Sequence, residues 1–186
     1  PHALFELAQL LARVGTVDEV LPDPDVHFLY RLGVALAEAE HHQLAARLFE
    51  YIVGQHPTTV EGWLQPARYY LHTGDHQRLE AVMAQAVAAM PDSAELYLFL
   101  GAARERAALF EEAAAAYQQG LERRPADTEL YIHWGFALEK LERWEEAIEV
   151  YRRGLSVEPP DPELYIRWGI VLGRQQHWQE AVGRFQ

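Results

Sequence analysis

A chain of 186 residues that is 49% hydrophobic and 11% aromatic carries ample apolar material for a folded core, which excludes wholesale disorder. Its 16 basic and 28 acidic residues give a formal charge of -12, which argues against a nucleic-acid backbone as partner. Cysteine and asparagine are absent and Lys140 is the only lysine, so disulfides, thiolate metal sites and cysteine nucleophiles are excluded together.

Taken in chain order, Ala3 to Val14 predicts one helix, followed by Gly15 and a Pro22-Asp23-Pro24 break. Residues 1–25 are therefore expected to form an N-terminal helix and linker, either a cap or the remnant of an upstream repeat. The start at Pro1 and the stop at Gln186 inside a helical pattern suggest a piece of a longer protein. No apolar stretch approaches the ~20 residues that a bilayer-spanning helix needs, so direct membrane insertion is not expected.

From Asp25 onward one period of 34 residues governs the sequence. A small-residue column runs Gly33, Ala67, Gly101, Gly135, Gly169, and a proline column runs Pro57, Pro91, Pro125, Pro159. A second small column reads Ala45, Leu79, Ala113, Ala147, Ala181, with Phe49, Met83, Tyr117, Tyr151 and Phe185 four residues later. Within each period two blocks of apolar residues recur at three- and four-residue steps, as in Leu130–Leu141 and Trp144–Val157, so each unit is predicted to be a helical hairpin. Asp25, Thr59, Ser93, Asp127 and Asp161 stand as N-caps of the first helices. Turns are expected near Glu40, Gly74, Ala108, Glu142 and Gln176. In the second unit, Gly62 and Pro66 predict an irregular first helix.

The run Tyr131-x-x-Trp134-Gly135-x-x-Leu138, then Ala147-x-x-x-Tyr151, then Pro159 resembles the tetratricopeptide repeat. The resemblance covers residues 26–186: repeats 26–59, 60–93, 94–127 and 128–161, and a partial repeat 162–186. It implies an all-α fold, a right-handed α-solenoid of stacked antiparallel helix pairs. It also implies a non-catalytic protein–protein interaction scaffold, whose first helices line a concave groove for a partner helix or peptide.

The columns that face this groove are largely apolar. They are Tyr30, Leu64, Leu98, Ile132 and Ile166, and one turn later Val34, Arg68, Ala102, Phe136 and Ile170. Glu61, Glu95, Glu129 and Glu163 form an acidic rim, although each also lies in a first turn where a carboxylate complements the helix dipole. The expected partner is therefore an apolar protein or peptide segment with basic residues. Arg106, Lys140 and Arg174 alternate with Glu105 and Glu139, which reads as neighbouring salt links. The Asn- and cation-based clamp that some relatives in this family use for a terminal carboxylate is excluded by the lack of asparagine.

No phosphate-binding loop or nucleophile elbow occurs, and no cofactor is expected. His41 with His42, and His72 with Asp75 and His76, crowd two turns but read as surface residues, and no metal site is assigned. The alternative reading is a substrate-recruiting arm of an enzyme such as a glycosyltransferase with its catalytic domain outside this segment; the missing asparagine ladder weighs against it. The uncapped C-terminal repeat also suggests self-association.

Overall fold

The computed structural model describes residues 25–55 and 57–174, and these fold into α-helices with no strand among them. The helix expected at residues 3–14, the turn near Gln176 and the second helix of the fifth repeat lie outside the described residues. The helices fall into two compact units divided between Met90 and Pro91.

The first unit holds α1 (Val26–Glu38), α2 (His42–Gly54), α3 (Val60–Thr73) and α4 (His76–Ala89). The second holds α5 (Ala94–Arg106), α6 (Phe110–Arg123), α7 (Thr128–Lys140), α8 (Trp144–Leu155) and α9 (Pro162–Arg174). These are the hairpins that the 34-residue period predicts, and the fold is an all-α solenoid of helix pairs. Inside each unit every helix packs on the next, and first helices also pack on first helices: α1 on α3, α5 on α7, α7 on α9. Within each unit the first helices thus make a layer, and the second helices pack against it.

Four turns close in the same way. Glu40, Gly74, Ala108 and Glu142 all take positive φ, between 58° and 73°. At three of them the left-handed residue sits just beyond the helix, and the next N–H reaches back to the third-last helical carbonyl: His41 to Leu36, Leu109 to Arg104, and Arg143 to Leu138, at 2.8–2.9 Å. This geometry fixes the hairpin angle. Only Gly74 is the residue type that adopts it without strain.

The caps hold in part. Asp25 accepts from His27 N–H (3.2 Å), Thr59 from Gly62 N–H (3.2 Å) and Asp161 from Glu163 N–H (2.9 Å). Ser93 and Asp127 make no side-chain cap bond. Asp127 instead pairs with Arg124 at 3.1 Å, so the guanidinium has taken the carboxylate from the backbone. In the second repeat α3 spans Val60–Thr73 with Pro66 inside it and buried. Gly62 is needed there because a Cβ would meet Pro57 at 2.7 Å.

Three hairpins are keyed by a ring on a glycine. Phe49 packs against Gly33, Tyr117 against Gly101 and Tyr151 against Gly135, so close that a Cβ would collide with the ring. In the second repeat the pair is Ala67 and Met83, both fully buried; a flexible thioether leaves room for the extra methyl where a ring does not. A second small column seals successive repeats: Gly120 meets Leu130 and Tyr97, and Gly154 meets Leu164 and Tyr131. Around these keys lie Ala113, Ala147, Leu130, Leu138, Leu164 and Val171, which are buried in the second unit's core.

Candidate functional site

In the first unit, Leu64 is 1% exposed and belongs to the core, so it is not a surface that a partner reaches. Tyr30 and Val34 are half-buried, with the Tyr30 ring 6.2 Å from Phe49. Arg68 is exposed and pairs with Glu61 at 3.0 Å; Gln65 donates to the same carboxylate. A recess of about 370 Å³ opens beside Tyr30, bounded by Ile52, Pro57, Thr59, Glu61 and Gln65. A larger one of about 790 Å³ lies between α2 and α3, where Arg78 bridges Glu50 (2.8 Å) and Asp75 (2.6 Å).

In the second unit, Leu98 and Ile132 are half-buried against the core cluster and Ala102 is half-buried. Phe136 is likewise half-buried but lies outside that cluster. The Lys140 ammonium is 5.1 Å from its ring centroid and the Arg167 guanidinium 5.3 Å, so two cations flank one aromatic ring. Ile166 (42%) and Ile170 (40%) on α9 are exposed. The sequence columns therefore contain three kinds of position: core, shared and free.

The acidic rim is half spent inside the molecule. Glu163 pairs with Arg167 (2.8 Å) as Glu61 does with Arg68, whereas Glu95 and Glu129 are exposed with no ion pair among the described residues. All four lie in first turns.

Among the described residues, the salt links expected between Glu105 or Glu139 and the neighbouring cations are not formed. Glu139 is 5% exposed, and the Tyr151 hydroxyl donates to its Oε1 at 2.6 Å. Burial, and then this carboxylate, push the Tyr151 hydroxyl far above the usual phenol range. One repeat earlier, Glu105 turns to His133 Nδ1 at 3.5 Å, and the imidazole stacks on Tyr117 at 5.5 Å. Hydrogen bonding to Glu105 is the largest influence on His133 and raises its pKa; Glu129 adds to this, while burial and Arg167 oppose it.

The sequence carries a pattern for this that the salt-link expectation did not use: where the ring column carries a hydroxyl (Tyr117, Tyr151), glutamate stands twelve residues before it. Where it does not (Phe49, Met83), that position is Ala37 or Leu71. His133 had no such signal, because only the contact between α5 and α7 makes it a partner of Glu105.

Two further arginines, Arg123 and Arg153, have structural roles. Arg123 lies over Tyr97 (4.7 Å) and donates to the Pro91 carbonyl (2.9 Å), and Arg153 lies over Tyr131 and Trp134. Among the described residues no three His, Asp or Glu side chains converge as a metal cluster, and no helix is long and apolar enough to cross a membrane.

Hairpins keyed by ring on glycine and stacked through their first helices define a helical-repeat protein. Residues 128–171 match the tetratricopeptide repeat family, and the other described helices share the hairpin fold of that stretch. No curated protein sequence matches. Among solved structures, one titled crystal structure of MamA protein superposes with a TM-score of 0.69 and 21% identity, covering 86% of this chain and 87% of that one. MamA 41-end from Desulfovibrio magneticus RS-1 gives 0.67 and 20%, covering 87% and 92%. At such identities the likeness is one of fold.

Proposed function

We propose that this protein is a non-catalytic scaffold whose first-helix face binds a protein or peptide partner through apolar side chains. Phe136 is the observation that carries this reading. It is a large aromatic that is only partly buried and lies outside the core cluster, so packing of that core does not account for it. Leu98, Ala102 and Ile132 beside it, with Ile166 and Ile170, extend the apolar strip across α5, α7 and α9.

The test is Phe136→Glu. A glutamate there finds Lys140 and Arg167 already in place, so the fold is expected to survive. Partner capture should fall at least tenfold with helicity and melting temperature unchanged. Unchanged capture, or joint loss of folding and capture, would show that the position is not a binding anchor.

A further inference from the structure

Arg106, Lys140 and Arg174 occupy one position in three successive repeats, in the last turns of α5, α7 and α9. A cation there complements the helix C-terminus, which gives each a local reason to exist. The dipole does not, however, explain why their neighbouring carboxylates are withdrawn. Glu105 is committed to His133, and Glu139 is buried under the Tyr151 hydroxyl. Among the described residues no carboxylate lies within ion-pair distance of Arg106, Lys140 or Arg174, and all three are exposed. Lys140 sits over Phe136 and Arg174 lies 5.6 Å from the Trp144 ring. The three repeats of the second unit thus each present a cation with no carboxylate partner among the described residues along the edge of the apolar strip.

We propose that this column receives carboxylates of an acidic, partly apolar peptide segment of the partner. The inference rests on the reading of the first-helix face given above and specifies the chemistry of what binds there. The acidic rim lies away from this column: Glu95 and Glu129 stand in the first turns of α5 and α7, at the opposite helix ends from Arg106 and Lys140, and Glu163 is paired with Arg167. The net charge of -12 does not forbid an acidic ligand. At physiological ionic strength charges beyond about 8 Å are largely screened, so the local column decides. Neighbouring first helices lie roughly 8–10 Å apart, and an extended polyproline-like chain rises ~3.1 Å per residue, so a glutamate at every third position keeps pace with the repeats.

The probe is a fluorescein-labelled peptide of four Glu-Pro-Leu units, compared with four Lys-Pro-Leu units, by anisotropy in 0.15 M salt. The acidic peptide should bind at least tenfold more tightly than the basic one. Lys140→Glu should weaken it about tenfold and Lys140→Gln about threefold. Arg152→Glu, an equal charge change on α8 at a residue paired with Glu149, should leave it within twofold. Equal binding of the two peptides, no binding of the acidic one, or equal loss in Lys140→Glu and Arg152→Glu would overturn the proposal. A natural partner lost on Phe136→Glu but indifferent to Lys140→Glu would leave the scaffold reading standing and reject this one.

Discussion

The ring of Tyr151 fills the space that a Cβ on Gly135 would need, and Tyr117 stands in the same relation to Gly101. A side chain added at Gly135 must move an aromatic ring in a close-packed core, so Gly135→Ala should destabilise by about 1–3 kcal/mol in urea unfolding. Gly54 has nothing within 4 Å of its missing Cβ. Gly54→Ala should stay within about 0.5 kcal/mol of the parent or gain slightly through helix propensity. Equal effects at the two sites would refute the ring-on-glycine key.

The Tyr151–Glu139 bond predicts a coupled pair. Tyr151→Phe leaves a buried carboxylate short of its donor and should cost about 1–3 kcal/mol. Adding Glu139→Leu recreates the hydroxyl-free chemistry of Met83 and Leu71 in the second repeat, and should recover at least about 1 kcal/mol. Additive losses in the double-mutant cycle would show that the two side chains do not depend on one another.

How much of this was legible in the sequence follows from where each interaction lies. The 34-residue register gave the hairpins, the turns and the glycine columns, because those contacts recur inside one repeat. The groove columns were legible only as columns: Leu64 and Ile166 share a register position, yet one is 1% and the other 42% exposed, since exposure depends on which helices stand alongside. Ser93 and Asp127 looked like their capping counterparts and are not, because Arg124 competes for Asp127.

Three hairpins place Glu40, Ala108 and Glu142 in the left-handed region. An L-residue there costs about 1–2 kcal/mol, and glycine gives back part of that through its freer unfolded chain. Ala108→Gly and Glu142→Gly should each raise stability by about 0.5–1 kcal/mol, read as a higher denaturation midpoint with an unchanged slope. A loss of stability would contradict the turn geometry.

His133 has its folded pKa raised by Glu105, so the stabilisation is fully present below the unfolded value near 6.5 and is lost as pH rises through the folded value. The melting temperature should therefore decline from pH 6 into the mildly alkaline range, and His133→Gln should flatten that decline. An identical slope in the variant would remove His133 from the account.

Oxidative side-chain footprinting of the protein with and without its captured partner decides whether the first-helix face is the one that binds. Phe136, Ile166 and Ile170 should lose reactivity in the complex, whereas Leu109, 42% exposed and preceding α6, should not. Protection at Leu109 with Phe136 still reactive would place the partner on another surface and contradict the scaffold reading.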